Sequence, residues 1–327
     1  MILLPRRRLL ASAVALSAAQ LAASCAPSAP TAGVRLRVGT YKGQTQDLIG
    51  PAGEGKTPYD LHWAEFVSGN LICEAILAGA LDLGSMSDIP PVFIAAAHPA
   101  LRQVAVLKSD VNNQIVLVPK GSAISSVAQL KGRRIGYVKS TTSHYILLRL
   151  LQEQGLGWTD ITPVALSPQD GRAAFERGSL DAWVIFGATG FLARQDTGAR
   201  VLTTGLGRLT GNYVITVAQA ALDDPAKSAA VADYLARLQR IYRWTEAHPE
   251  ATAAIVGKAT GLPAEVYLQQ RRERSGPTEL VPVDDAAIAS QQQIADTFAA
   301  AGLIPGKVDV RPLWSPAFHD TLVRSAA

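Results

Sequence analysis

Val38-Gly39-Thr40-Tyr41 closes the first apolar stretch after the chain's opening segment, and Ile135-Gly136-Tyr137-Val138 answers it close to one hundred residues later. At nearly the same offset, His62–Phe66 is answered by Thr162–Leu166, and Gly79-Ala80-Leu81-Asp82 by Gly178-Ser179-Leu180-Asp181. Each unit reads strand, glycine turn, helix, strand, helix, strand. A repeat of this length and order predicts an α/β fold of two similar lobes with parallel sheets and a cleft between them.

Working outward, the apolar strands Asn113–Pro119 and Asn212–Val217 flank the second unit and are placed to cross between lobes as hinges. The expected boundaries are residues 34–115 plus 217–327 for lobe 1 and residues 116–216 for lobe 2. The later part is mostly helical. Asp224–Ala247 and Asp284–Ala301 carry apolar residues at helical spacing behind an aspartate cap, and should fold back onto lobe 1.

With 327 residues, 48% hydrophobic and 18% charged, the chain can bury a core in each lobe and lies far from disordered composition. Three of its four net positive charges are Arg6, Arg7 and Arg8, so the remainder is nearly neutral and nucleic acid is not an expected partner. Those arginines precede the Ala/Leu-rich stretch Leu9–Ala23, which reads as an export signal over residues 1–25. The run Pro5–Leu10 fits a loose twin-arginine pattern, leaving both general export routes open. Cys25 stands at a lipoprotein-type position, so lipidation and plain cleavage are both open, and residues 26–33 read as a tether. Cys73 then has no disulfide partner and reads as a small apolar helix residue.

Gly50–Thr57 (GPAGEGKT) satisfies the phosphate-loop pattern, but Pro58 follows at once and disfavours the helix such a loop must open. The stretch is expected to be a surface loop between the first helix and the second strand. His62, His98, His144, His248 and His319 lack zinc-ligand spacing, and no serine occupies a nucleophile elbow, so no metal or cofactor is expected.

Three polar loops fall where strands end and helices begin, the crevice position of open α/β sheets. Thr40–Thr45 offers Tyr41, Lys42 and Gln44. Ser85-Met86-Ser87-Asp88 offers two hydroxyls and a carboxylate that reads either as a helix cap or as a ligand contact. Lys139–His144 brings Thr141, Thr142, Ser143 and His144 to a helix start, where free amides and the helix dipole favour an anion. Trp183 and Phe186 read either as an apolar wall or as core. A sulfonate, with three oxygen acceptors and no donor, needs just such amides, hydroxyls and cations.

Ala78–Pro91 (AGALDLGSMSDIPP), Val127–Gly132 (VAQLKG), Thr141–Leu148 (TTSHYILL), Asp170–Phe175 (DGRAAF), Leu180–Trp183 (LDAW) and Lys307–Arg311 (KVDVR) together resemble the aliphatic sulfonate-binding proteins, within the sulfonate, nitrate and taurine group of periplasmic binding proteins. The resemblance covers nearly the whole chain after the export signal. It implies a type II two-lobed binding-protein fold and a monomer in the periplasm. It also implies capture of a small organic anion for an ABC permease and its ATPase in the inner membrane. By position it adds Arg274, which also reads as part of the exposed cluster Arg271–Arg274. Where the family commonly continues with Trp-Asp-Pro, this chain has Phe186-Gly187-Ala188. That departure favours a bulkier alkyl or aromatic sulfonate, or a sulfate ester, over taurine. Nitrate, bicarbonate, taurine or a neutral pyrimidine remain alternative ligands. A desulfinase-like enzyme on the same fold is the other alternative, for which the chain lacks a cysteine in its first loop.

Overall fold

The computed structural model describes Thr31, residues 33–97 and residues 99–326. The expected export signal, Cys25, most of the tether and His98 lie outside those residues. The first unit runs β1 (Arg35–Thr40), α1 (Thr45–Leu48), β2 (Asp60–Glu65), α2 (Gly69–Leu77), β3 (Leu83–Ser87), a 3₁₀ segment over Pro90–Ala97, and β4 (Leu101–Lys108). The second runs β5 (Gln114–Val118), β6 (Arg134–Tyr137), α3 (Thr142–Glu153), β7 (Thr162–Ala165), α4 (Pro168–Glu176), β8 (Ala182–Phe186), α5 (Gly187–Thr197) and β9 (Arg200–Thr204). The chain returns through β10 (Asn212–Ala218), α6 (Gln219–Asp223), α7 (Pro225–Ala247), α8 (Pro249–Thr260), α9 (Ala264–Glu273), β11 (Glu279–Val281), α10 (Asp285–Ala300) and α11 (His319–Ala326). Asp224 and Asp284 cap α7 and α10 by accepting from Ala226 N, Lys227 N and Ala287 N, which is the capping expected from the sequence.

Among the described residues two sheets form, in the orders β11-β4-β10-β3-β1-β2 and β7-β6-β8-β5-β9. The repeat is visible in them, because β2, β1, β3, β10 and β4 take the same successive places as β7, β6, β8, β5 and β9. The sheets are mixed rather than parallel. β10 runs antiparallel to β3 and β4, and β5 antiparallel to β8 and β9. Nor are β5 and β10 themselves the crossings. Each lies inside a sheet, so lobe boundaries after residues 115 and 216 would cut both strands. The chain changes sheet in the short segments 109–113 and 205–211 instead.

The motifs of the repeat have a common physical cause. A Cβ on Gly39 would stand 2.7 Å from Leu81 Cδ1, and one on Gly136 2.5 Å from Leu180 Cδ1. Each glycine makes room for the leucine that closes the helix onto its strand. The aspartate that follows tethers the same strand. Asp82 Oδ2 accepts from Arg37 N at 2.8 Å, and Asp181 Oδ2 from Arg134 N at 2.7 Å. Each arginine in turn reaches the carbonyl of Gly79 or Gly178.

At the crossings, Ser109 N donates to Gly211 O, Gly205 N donates to Gln114 O, and Val111 N donates to Ser275 Oγ. Gly211 has φ +74°, and a Cβ there would collide with the Ser109 carbonyl oxygen. Gly211→Ala is therefore expected to lower stability by about 1–3 kcal/mol, read as an earlier midpoint in urea unfolding. An unchanged midpoint would mean that the two crossings are not held side by side.

Residues 50–59 join α1 to β2 as turns and coil, as expected. The helix precedes this loop instead of opening from it, so no fan of amides exists to hold phosphates. Glu54 instead accepts from Arg240 at 2.7 and 2.8 Å and pairs with Arg237, pinning the loop to α7.

Candidate ligand-binding cleft

Between the two sheets lies a cleft of about 860 Å³. Tyr41, Lys42, Gln44, Ser85, Ser87, Thr141, Thr142, Phe186 and Arg274 all line it, so the three polar loops do come together. Tyr41 Oη donates to Ser85 O at 3.0 Å and locks the first loop to the second. Burial pushes its phenol far up, so it stays a neutral donor. Lys42 and Gln44 are exposed into the opening, and Lys42 forms no ion pair among the described residues.

The structure corrects the source of donors at the third loop. The hydroxyls of Thr141, Thr142 and Ser143 donate to Val138 O, Gln114 Oε1 and Val184 O at 2.8, 2.6 and 2.6 Å. Buried hydroxyls must be satisfied, and here they hold the helix start in place. What remains for an anion is backbone. The first N–H groups of α3 have no carbonyl partner within the helix, and the same holds at α2 behind Ser68 and at α5 behind Phe186. Residues from all three starts line the cleft, so three positive helix ends face it. Gly69 permits this at α2. A Cβ there would stand 2.8 Å from Met86 Cβ and 3.1 Å from the Tyr41 hydroxyl.

Four expected residues lie elsewhere. Ser143 is 1% exposed and is spent on Val138 N and Val184 O. His144 is packed among Phe93, Tyr137, Trp158 and Phe298, and its Nδ1 accepts from Ser140 N. Burial, with Lys139 nearby, pushes its pKa down to about 3, so the ring is neutral. Trp183 is fully buried against Phe175 and α4, where a Cβ on Gly171 would meet its indole nitrogen at 2.7 Å. Strand alternation turns Trp183 into the core and leaves Phe186, at the strand end, in the cleft. Asp88 lines a smaller cavity with Gln114, Thr142, Asn212 and Tyr213. Pro90 and Pro91 give it no N–H to cap, and its Oδ2 has no hydrogen-bond partner among the described residues.

Arg274 reaches the cleft but is not a free cation. It grips Glu246 with two bonds of 2.7 Å, and Arg271 adds a third at 2.9 Å. Burial raises the Glu246 carboxyl, but Arg274, Thr278 N and Arg271 more than offset it and hold it at about 2. Ser68, Gln114, Tyr213 and Thr189 also line the cleft. Of these, only the serine before the α2 helical pattern carried a signal in the sequence. Cys73 is 2% exposed in α2, and burial raises its thiol to about 12.

The family described as NMT1/THI5 like matches residues 66–252. An aliphatic sulfonates-binding protein of Escherichia coli (strain K12) is 35% identical over 313 residues, spanning 94% of this chain and 95% of the relative. The crystal structure of the periplasmic aliphatic sulphonate binding protein from Escherichia coli superposes with a TM-score of 0.75 at 35% identity, over 86% of this chain and 92% of that one. That of the alkanesulfonate-binding protein from Xanthomonas axonopodis pv. citri, bound to MOPS, gives a TM-score of 0.80 at 32% identity, over 87% and 99%.

Proposed function

This chain belongs to the NMT1/THI5-like family and to the aliphatic sulfonate-binding proteins, and from that premise we propose that it is the substrate-binding component of an ABC importer that captures an organic sulfonate. The observation that carries this reading is the meeting of three helix N-termini with Lys42 in one interlobe cleft. Amide fans and one free ammonium suit a tetrahedral anion with three oxygens. The neighbouring carboxylate Glu246 is neutralised by its arginines. Phe66, Phe186 and Leu192 flank this headgroup site with apolar surface.

Residues 34–111 with 212–327 and residues 112–211 form the two bodies that close on the ligand, with the paired crossings as the hinge. The site comprises Tyr41, Lys42, Gln44, Ser85 and Ser87 on one side and Thr141, Thr142 and Phe186 on the other. The protein works as a periplasmic monomer that delivers to an inner-membrane permease and its ATPase, behind an export segment ending at Cys25. It performs no chemistry on its ligand. The only cysteine in the described residues, Cys73, is buried and protonated, whereas nucleophilic catalysis needs an accessible thiolate.

Calorimetric titration with octanesulfonate, MOPS, taurine and nitrate tests the reading. Saturable binding of the two bulky sulfonates is expected, with Lys42→Ala weakening it about 10- to 100-fold, as for loss of one charged hydrogen bond. Nitrate binding with no response to either sulfonate would overturn the ligand assignment.

A further inference from the structure

The cleft does not end at the anion site. Behind the Lys42 loop it continues into lobe 1, walled by Leu48, Tyr234, Leu238, Tyr242, Ala253 and Val256. All but Val256 are less than a tenth exposed. Folded interiors close such spaces, because each unfilled volume forfeits contacts. Here α1, only four residues long, packs against both α7 and α8, and its Leu48 is the part of the recess wall that it supplies. Gly43 forms its lip. With φ +76° and a would-be Cβ 2.9 Å from Val256 Cγ1, it lets the loop lie flat on α8, and Asp47 Oδ2 fixes it by accepting from Gly43 N. The far rim is the Glu246–Arg274 pair, already satisfied internally.

We infer that this recess is the tail subsite, taking a linear alkyl chain of about six to eight carbons or an aryl group of similar length, while the sulfonate sits at the helix ends. The inference rests on the sulfonate reading above. Its distinguishing feature is that every wall belongs to lobe 1. Closure of the lobes rebuilds the headgroup site but leaves the recess as it stands, so tail binding needs no reorganisation. Selectivity for tail length therefore resides in α7 and α8, far in sequence from the polar loops.

The test is calorimetry of the full chain with ethane-, butane-, hexane- and octanesulfonate. Burial of successive methylenes predicts an affinity gain of up to about four-fold each, and at least about 50-fold from ethane- to octanesulfonate. Val256→Trp, which fills the recess, should bring the octane-to-ethane ratio close to one. Thr252→Trp, on the same face of α8, provides the check should the first variant fold poorly by circular dichroism. Equal affinity across the series in the unmodified protein would overturn the tail subsite and leave the sulfonate reading intact. A steep series that both tryptophan variants preserve would also overturn it, placing the tail between the lobes. Absence of binding by every member would overturn both readings.

Discussion

Asp82→Ala is expected to lower unfolding free energy by about 3 kcal/mol, whereas Asp181→Ala, the matching change in the other lobe, should cost about 1 kcal/mol. The two aspartates accept the same bond from their strand's backbone, so the contrast measures what burial and the second cation, Lys227, add at Asp82. The Asp82 side chain is 3% exposed and holds both Arg37 and Lys227 at 2.8 Å. That of Asp181 is 30% exposed, and its ion pair with Arg134 is 3.5 Å long. Removing Asp82 strips β1 of a buried acceptor for Arg37 N and leaves the partly exposed Arg37 and Lys227 without the carboxylate they share. Removing Asp181 exposes groups that water already reaches. Burial raises the Asp82 carboxyl, but Arg37 and Lys227 outweigh it and lower it overall. Its contribution is therefore fully present above the ordinary carboxylate range and is lost as pH falls from there through the lowered folded-state value. Guanidinium unfolding curves for both variants check the prediction, and equal losses would show that neither burial nor the second cation separates the two sites.

Asp88→Asn should have an effect of similar size and opposite sign that appears only at higher pH. Burial raises the Asp88 carboxyl to about 7, with its own backbone N–H and Lys108 acting the other way. Tyr145, Tyr213, Asp110 and Arg208 share its cavity. Below about pH 4 the group is protonated whether the chain is folded or not, and it contributes nothing to the pH dependence. Between about 4 and 7 the folded state keeps a proton that the unfolded chain has released, so stability falls as pH rises. By pH 8 the loss reaches about 4 kcal/mol. Asparagine removes this slope, so the variant should be more stable than the parent at pH 8 and close to it at pH 4. Melting temperatures across that range decide it. Parallel profiles for the two proteins would mean that Asp88 ionises normally.

The sequence disclosed the lobes because their repeat is local. Gly39 with Leu81, and Gly136 with Leu180, each sit within about fifty residues and recur as a pair. Asp224 and Asp284 announced their helices for the same reason, since a cap acts on amides two or three residues ahead. The loops around Lys42, Ser85 and Thr141 were legible from their place after strands. What the chain hid was which polar atoms were already spoken for. Thr142 is satisfied by Gln114 and Ser143 by Val184, partners no local pattern identifies. The inward turn of Trp183 depends on Gly171 in a neighbouring helix. The aromatic cage of His144 draws Phe93 and Phe298 from distant segments. Strand direction was equally hidden. β5 and β10 read as apolar strands, but nothing within them says that they enter their sheets antiparallel.

The strand order also dictates a sequence of events in folding. Everything in the sheet of β5 to β9 lies within one uninterrupted run of chain, so that sheet can assemble as soon as the run is available. The other sheet cannot. Its β10 inserts between β3 and β4 and reaches both only after the whole second lobe has been made. Until then β3 and β4 present unpaired edges, the kind of surface on which chains aggregate. The lobe that begins first is thus completed last, and residues 35–108 depend for their protection on a strand more than a hundred positions downstream.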